Sequence, residues 1–507
     1  MNNQLRSGVI LSYVNLGISA LIPFLYTPIM LNLLGQEEYG LYSLAHSVVG
    51  YLSLLTFGFG STLIRYISKY RAEGKQEEVE KAYGLFLLLY SILAVVVLVG
   101  GIVVSAKVDV IFDQGLSLEE IRKMRGLVLI MAFNLALSFP LSVFSSIAIA
   151  HERYLFRKTM DIASTVAAPV ANLIALYLGY ASVGMALAAT VTQCLMAPVS
   201  MIYCTKVIKV KPKFVRMPAG LIREMIGFSV FVFIGTLVDM LFWATDKVIL
   251  GMLASSAAVA VYNVGGTFNN MVMNLSTSIS GVMVPRITGM VATNTKKTEW
   301  SNLFIRIGRI QFLIVALIVS GFAVFGQAFL VLWAGPEYVD AYWVTILTMF
   351  PMCVPLIQSI AKSIIIAQNK HKFRSIVYLI IAIANVISTY LIVPYMGIIG
   401  AALCSCVSYL LGQGLIMNIY YYKVTGLDIP RFWKNILKMA VIPALMLIAG
   451  LMLNRVVVMD NWLTFFAGVV LYTAVYAVLM YCFAMNDYER DIIRKPIQKI
   501  LRIVKRK

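Results

Sequence analysis

Charged residues are scarce in this sequence of 507 residues. Asp, Glu, Lys and Arg together make up 13% of it, hydrophobic residues make up 60%, and the mean hydropathy is +0.86. A soluble domain carries about 25% charged residues. The apolar residues also form long uninterrupted runs, which are typical of membrane-spanning helices. These features exclude an ordinary soluble domain and predict an all-α polytopic membrane protein.

Motifs that support catalysis or cofactor binding are also missing from the sequence. No Gly-rich phosphate loop precedes a Lys-Ser or Lys-Thr pair, which argues against a P-loop ATPase. The connections between apolar runs are too short for a soluble catalytic domain. Six cysteines lie in apolar runs without metal-ligand spacing, and we interpret them as small buried residues: Cys194, Cys204, Cys353, Cys404, Cys406 and Cys482. We therefore expect neither an enzyme nor a bound cofactor or metal.

The apolar runs predict about fourteen transmembrane helices. They cover 8–34, 40–66, 82–105, 124–150, 159–180, 182–205, 224–253, 256–285, 303–333, 338–367, 373–393, 395–422, 435–454 and 461–484. With this segmentation, 36 of the 42 Lys and Arg residues fall on one side of the membrane and 5 on the other. The excess marks the cytoplasmic side, so both termini are predicted to be cytoplasmic. The net charge of +19 thus indicates membrane orientation and not nucleic-acid binding.

Local patterns recur between the first and the second six spans, at an offset of roughly 211 to 220 residues. The matches are Tyr42 with Tyr262, Phe139-Pro140 with Phe350-Pro351, LFRK (155–158) with KFRS (372–375), and VGMAL (183–187) with IGAAL (399–403). Repeats with an even number of spans are parallel, and such pairs form two lobes around a central cavity. The predicted organisation is an N-terminal lobe over 1–205, a basic cytoplasmic linker over 206–223, a C-terminal lobe over 224–422, extra helices over 423–484, and a basic tail over 485–507.

The tail, RKPIQKILRIVKRK, predicts an amphipathic helix. Its apolar residues share one helical face and its cations the other: Ile493, Ile497, Ile500, Leu501 and Val504 form the apolar face. Such a helix lies in the membrane interface and binds anionic lipid. A solvated basic tail is the alternative.

Three stretches resemble the polysaccharide (O-antigen type) flippases of the multidrug/oligosaccharidyl-lipid/polysaccharide exporter superfamily. They are LLGQEEYGLYSLA (33–45), DKVILGML (246–253) followed by VYNVGGTF (261–268), and AIAHERYLFRK (148–158). The resemblance extends over essentially the whole chain. It implies movement of a polyprenyl-pyrophosphate-linked oligosaccharide from the cytoplasmic to the outer leaflet of a bacterial inner membrane, by alternating access. The same resemblance implies that the protein works alongside a polysaccharide polymerase and glycosyltransferases. Flippases for peptidoglycan precursors carry arginines in the first helix, and the uncharged run 8–34 makes that substrate less favoured.

The seventh predicted span contains ionisable residues that are costly in a membrane. Asp239, Trp243 and Asp246 are spaced four and three residues apart, which places them on one face of a helix, and Lys247 follows directly. Such charges normally face a protein interior or a water-filled cavity. We predict that this face lines the transport cavity. The alternative is that Asp246 and Lys247 neutralise neighbours near the outer interface.

Further residues are candidates for contact with the substrate. Arg65 and Arg286 end the second and eighth spans at nearly equivalent positions of the repeat, and Lys362 lies in the tenth span, where the three cations could capture pyrophosphate. Ordinary orientation signals are the alternative for these cations. Asn15 and Asn270 supply amides for sugar hydroxyl groups. His46 titrates near neutral pH in water, although a lone histidine is commonly only a hydrogen-bonding residue.

Two other functions compete with a flippase. A cation-coupled multidrug exporter of the same superfamily would have the same fold, but it would need an acidic cavity with few cations. A membrane polysaccharide polymerase or ligase would need a sizeable outer loop with catalytic groups. The longest outer connection, around Lys107 to Lys123, is under twenty residues, which disfavours that enzyme.

Overall fold

The computed structural model describes residues 3–56, 58–214, 230, 233–281, 283–293, 295–368, 370–457, 459–492 and 494–495. Over these residues the only regular elements are helices. The first group is α1 (Asn3–Leu34), α2 (Gln36–Leu52), α3 (Phe59–Ala72), α4 (Gln76–Ala106), α5 (Val108–Ile111), α6 (Leu118–Ala150), α7 (Tyr154–Tyr177) and α8 (Ala181–Ile202). A π-helical segment, Tyr203–Ile208, extends α8.

The second group begins with α9 (Phe233–Trp243). It continues with α10 (Thr245–Leu253), α11 (Ser256–Gly281), α12 (Val284–Ala292), α13 (Lys297–Trp333), α14 (Ala341–Ile357), α15 (Ser359–Ala367), α16 (His371–Tyr409), α17 (Met417–Tyr420), α18 (Ile429–Leu453) and α19 (Trp462–Leu479). Further π-helical segments, Leu410–Ile416, Tyr421–Thr425 and Met480–Ala484, flank α17 and extend α19.

Eleven ranges of the described chain are long and apolar enough to cross a membrane. One of them, Lys372–Thr425, covers two predicted spans, because the backbone of α16 turns at Gly397, where φ is +52°. The eleven ranges therefore account for twelve of the fourteen predicted spans. The other two correspond to α9 with α10 and to α11. The predicted fold class, an all-α polytopic membrane protein, is confirmed.

Helix ends follow local chemistry at several boundaries. Gly35 separates α1 from α2 with φ of +76°, a conformation that is strained for residues with a Cβ. Ser117 begins α6 with a capping box: its Oγ accepts from the Glu120 N–H, and the Glu120 carboxylate accepts from the Ser117 N–H at 2.8 Å. Asp428 caps α18 by accepting from the Arg431 N–H at 3.0 Å. These signals are readable in the sequence.

The helices form two compact units. The first contains Met1–Asn263 and Val386–Ala401, and the second contains Val264–Asn385 and Ala402–Lys507. In the first unit, Phe59, Tyr90 and Phe139 pack edge to face in a buried core. In the second, Phe304 stacks on Phe432 with 4.3 Å between ring centroids. The predicted lobes at 1–205 and 224–422 follow the sequence repeat and stay a prediction.

Each unit contains a stacked aromatic pair at matching positions of the repeat. Phe156 stacks on Tyr203 with 3.7 Å between centroids, and Phe373 stacks on Tyr420 with 4.4 Å. Both residues of the second pair lie 217 residues after those of the first. The chain also turns through left-handed residues at the same offset, at Lys209 (φ +62°) and Gly426 (φ +73°). The LFRK and KFRS motifs thus occupy similar local structures.

The end of α19 is anchored by a buried ion pair in the second unit. Glu489 accepts two hydrogen bonds from Arg309 of α13, at 2.6 and 2.8 Å. Arg309 also donates to the Ala484 carbonyl at 2.9 Å. The predicted apolar face of the tail, from Ile493 on, lies outside the described residues, as does part of the predicted basic linker, 215–223.

Candidate transport site

Asp246 is a buried carboxylate that contacts side chains from two other helices, both within the first unit. It lies on α10 and is 1% exposed. The hydroxyl of Tyr262 on α11 donates to its Oδ2 at 2.5 Å, and the hydroxyl of Thr389 on α16 donates to its Oδ1 at 3.4 Å. A charged group at this depth is stable only with such partners. The acid that the sequence singled out therefore joins α10, α11 and α16.

Lys247 extends the same polar cluster towards α2. Its ammonium donates to the side-chain oxygen of Asn263 at 3.1 Å, and the Asn263 amide donates to the Tyr39 hydroxyl at 2.7 Å and to Ser43 at 3.2 Å. His46 lies within electrostatic range of Lys247. The structure thus brings together three residues predicted for the site: Asp246, Lys247 and His46. We call this group, with Tyr262, Asn263 and Thr389, the outer polar cluster.

Small residues allow α10 and α11 to approach α2 and the start of α6 closely. A Cβ on Gly40 would collide with the backbone oxygen of Ser256, and a Cβ on Gly115 would collide with the carbonyl of Gly251. Nearby, Ser256 donates to Glu120, and Tyr51 and Thr245 share a hydrogen bond. Backbones packed at this distance leave no room for a polar solute between these helices.

The seventh predicted span is not one uninterrupted helix. A turn at Ala244 separates α9 from α10. Asp239 on α9 is exposed and Trp243 is half-buried, whereas Asp246 is buried. The two acids therefore lie in different environments, and a shared face for the three side chains stays a prediction. Hydropathy alone does not detect such an interruption.

A polar cavity of about 510 Å³ lies among α1, α6, α7 and α8. Its wall contains an ion pair between Arg157 and Asp161, with 2.9 Å from Nη2 to Oδ1. Arg157 Nη1 also donates to the Ser145 hydroxyl at 2.5 Å, and Lys158 Nζ lies 3.7 Å from the other carboxylate oxygen. Other lining residues are Asn15, Ser138, Ser142, Ser164, Thr165, Gln193 and Ser200. We call this space the N-half cavity.

Asn15 is the one predicted site residue that lines the N-half cavity. Its side-chain oxygen is buried and has no hydrogen-bond partner within the part of the chain that the structure describes. An unsatisfied buried acceptor costs about 1–3 kcal/mol. A ligand that donates a hydrogen bond to Asn15 would remove this cost.

Sequence reasoning missed Arg157 and Asp161, which line the cavity. In the sequence, Arg157 counts only among the cations that indicate membrane orientation. The signal was present, because Arg157 and Asp161 are four residues apart, and Ser138, Ser142 and Ser145 recur at helical spacing on α6. A polar stripe inside a membrane span indicates a protein-facing or water-facing surface.

The remaining predicted site residues are exposed on other helices. Arg65 lies on α3 in the first unit. Asn270 on α11, Arg286 on α12 and Lys362 on α15 lie in the second unit. A pyrophosphate site built from these cations stays a prediction.

A second cavity, of about 350 Å³, lies where α3 meets the connection from α6 to α7. Arg71 lines it and donates to the Ala150 carbonyl at 3.0 Å. Burial lowers the pKa of the neighbouring His151, and the charges of Arg71 and Arg153 lower this pKa further. Burial and the neighbouring arginines therefore both disfavour the charged form of His151.

Comparison with known proteins identifies the fold and the family. Residues 5–291 match the family model described as "Polysaccharide biosynthesis protein". The chain is 20% identical over 494 residues to "Uncharacterized membrane protein EpsK" of Bacillus subtilis (strain 168), covering 95% of this chain and 96% of that protein. It is similar in structure to the lipid II flippase MurJ in an inward closed conformation (TM-score 0.73, 15% identity, 96% and 99% of the two chains). An inward-facing multidrug resistance MATE family transporter of the MOP superfamily is also similar (TM-score 0.62, 14% identity, 79% and 96%). The family match confirms the predicted resemblance to polysaccharide biosynthesis proteins, and the two solved structures show the same fold.

Proposed function

The chain belongs to the polysaccharide biosynthesis protein family, and on that premise we propose that it is a flippase for lipid-linked oligosaccharides. Its substrate would be a polyprenyl-pyrophosphate-linked sugar repeat unit, moved from the cytoplasmic to the outer leaflet. The family match over residues 5–291 is the observation that carries this proposal. The similarity to MurJ and MATE structures supports the fold that such transport needs.

The physical task explains why polar groups lie in membrane-spanning helices. A sugar hydroxyl left unpaired in hydrocarbon costs roughly 1–3 kcal/mol, and a bare charge costs several kcal/mol or more. A flippase must therefore give the glycan a polar path while the polyprenyl tail stays in lipid. The N-half cavity supplies polar groups for such a path.

The orientation and the coupling are further parts of the proposal. If both termini are on the cytoplasmic side of a bacterial inner membrane, Arg65, Arg286 and Lys362 would face the compartment from which the substrate arrives, and each would attract its pyrophosphate. Asp239 is the better candidate for a proton or cation site, because the neighbouring Lys247 favours the charged form of Asp246. A polysaccharide polymerase and glycosyltransferases would act on the same substrate, and the basic tail would bind anionic lipid.

Deletion of the gene from its host tests the proposal. We expect surface polysaccharide to be lost and lipid-linked repeat units to accumulate in the inner leaflet, with both effects reversed by the wild-type gene on a plasmid. Inner-leaflet accumulation is measured by protection of the glycan from an impermeant periodate oxidant. Unchanged surface polysaccharide and unchanged lipid-linked intermediates would overturn the proposal.

A multidrug exporter is the second candidate, because the MATE transporters share the fold. Such an exporter for organic cations needs acidic cavities. In the N-half cavity the carboxylate of Asp161 is already neutralised by Arg157 and lies near Lys158, which disfavours a cationic drug. Ethidium efflux that depends on this gene, together with unchanged polysaccharide, would favour the exporter.

A further inference from the structure

We propose that the N-half cavity is a sugar subsite, which binds a neutral, polyhydroxylated ring of the transported glycan through Asn15, Ser145 and the Arg157–Asp161 pair. This inference rests on the proposed function and gives the substrate a specific position within the first unit. All the residues that it uses lie in that unit.

The hydrogen-bonding groups that the cavity offers to a ligand include several acceptors. The Asn15 oxygen has no partner among the described residues. The hydroxyls of Ser138 and Thr165 donate to the carbonyls of Leu135 and Asp161, at 2.6 and 2.8 Å, so each presents lone pairs to the cavity. Ser145 accepts from Arg157 and keeps its own hydrogen for a ligand. A matching ligand must therefore donate several hydrogen bonds and accept at least one.

The charges of the cavity select among ligands that donate hydrogen bonds. Asp161 lies beside both Arg157 and Lys158, which leaves no net negative charge for a metal ion or an organic cation. A phosphate group at neutral pH mainly accepts hydrogen bonds, so it would face the lone pairs of Asn15, Ser138 and Thr165. Neutral sugar hydroxyls donate and accept, and they match both the lone pairs and the neutralised ion pair.

The size and the apolar lining also suit a sugar. A volume of about 510 Å³ lies within the usual range of small-molecule sites. Leu141, Met160, Met196 and Ala197 complete the wall with apolar surface. A sugar ring has C–H faces as well as hydroxyl edges, so a wall of both kinds matches it.

The second half of the chain does not reproduce this arrangement. At the repeat offset of 217 residues, Arg157 corresponds to Arg374 and Asp161 corresponds to Tyr378. The Arg374 guanidinium lies over the Tyr378 ring, 4.2 Å from its centroid. The repeated helices therefore do not require a carboxylate at this position, and Asp161 is specific to the first half.

Sugar binding by the purified full-length protein in lipid nanodiscs tests the proposal directly. The probes are methyl glycosides of glucose, galactose and N-acetylglucosamine at millimolar concentration, detected by saturation-transfer difference NMR. We expect saturation transfer to the ring protons of at least one glycoside. This transfer signal should be at least about fivefold weaker in Asn15→Leu and in Asp161→Asn. Ala197→Phe, which fills the cavity and leaves the ion pair intact, should abolish the signal. Thr159→Ala on the exposed side of α7 is the matched control and should keep it.

Competition and transport separate the possible outcomes. Pyrophosphate, sodium ions and tetraphenylphosphonium should not displace the glycoside. Displacement by either cation would show that the cavity is a cation site and would overturn the inference. Absence of transfer to every glycoside, or equal transfer in Ala197→Phe and wild type, would also overturn it. Normal polysaccharide export by Ala197→Phe would show that transport does not use the sugar subsite, while the proposed flippase function would stand. If the protein binds a glycoside but deletion of the gene leaves surface polysaccharide unchanged, the proposed flippase function would be wrong.

Discussion

At the scale of single residues, Asp239 and Asp246 have different surroundings although they are seven residues apart. Asp246 is buried and accepts from Tyr262 and Thr389, whereas Asp239 is exposed. Removing a buried carboxylate leaves its charged and hydroxyl neighbours unsatisfied, which is destabilising. The outer polar cluster is therefore expected to hold helices together, and Asp239 is expected to act in transport.

Asp246→Asn should destabilise the protein. The substitution removes the negative charge beside Lys247 and weakens the hydrogen bonds from Tyr262 and Thr389, each worth about 1.5–3 kcal/mol when it involves a charged group. We expect a lower melting midpoint in detergent, measured by fluorescence-detected size exclusion. Asp246→Asn combined with Lys247→Met should recover part of the loss, because no unbalanced cation remains. Equal midpoints for Asp246→Asn and wild type would contradict this role.

Asp239→Asn should spare stability and impair transport. Its side chain is exposed, so the melting midpoint should stay near that of the wild type. If Asp239 is the proton or cation site, its amide cannot change charge, and gradient-dependent export should be abolished. The assay is surface polysaccharide in a strain lacking the gene, with membrane abundance measured in parallel. Wild-type export across the pH range would rule out the coupling role.

At the scale of helices, close backbone contact joins α2 to α11. Gly40→Ala places a methyl group against the backbone of Ser256, which cannot move without shifting α11. We expect lower stability and reduced export, with a cost of about 1–3 kcal/mol, the range for overpacking. Gly126→Ala on α6 is the matched control: nothing lies within 4 Å of its Cβ, and the replacement should be neutral or slightly stabilising. Similar melting midpoints for Gly40→Ala and Gly126→Ala would show that close contact between α2 and α11 is not needed for stability.

The ion pair between α13 and the segment after α19 gives a second prediction for elements. Glu489→Gln removes the charge that faces Arg309, whose side chain is 8% exposed. Breaking a buried pair costs about 3–5 kcal/mol, so the melting midpoint should fall clearly. Asp487→Asn is the control, because Asp487 is fully exposed and its nitrogen partner lies 3.9 Å away. If the melting midpoint falls as much in Asp487→Asn as in Glu489→Gln, then the segment after α19, and not the buried ion pair, determines stability.

Sequence reasoning predicted the helices well because hydrophobic runs are local signals. The LFRK and KFRS motifs are local as well, and they occupy similar structures. The site was predicted less completely. The turn at Ala244 arises within an apolar run, and the partners of Asp246 come from positions 262 and 389, which no helical spacing connects. Arg157 and Asp161 were readable as an i,i+4 pair, but the cavity around them depends on how four helices pack.

At the scale of the whole molecule, the repeat and the compact units describe different divisions of the chain. The repeat divides the sequence near the basic linker, whereas the first compact unit also includes 224–263 and 386–401. Within that unit, α10 and α11 are attached to α2 through the outer polar cluster and Gly40. Alternating access would require these attachments to break, so the residues that form them are expected to set the balance between states.

The topology of the chain gives the last prediction, because every functional role proposed above depends on which side each helix end faces. The distribution of 36 cations on one side and 5 on the other predicts that both termini are cytoplasmic. In a Cys-free background, single cysteines at the exposed positions Glu37, Asp340 and Asp460 should react with an impermeant thiol reagent added to whole cells. Cysteines at Gln76 and Lys297, which are also exposed, should react only after the membrane is opened. Labelling of Lys297→Cys in intact cells would show that the segment between α12 and α13 lies on the outer side of the membrane. Arg286 would then face away from the compartment where the substrate is made.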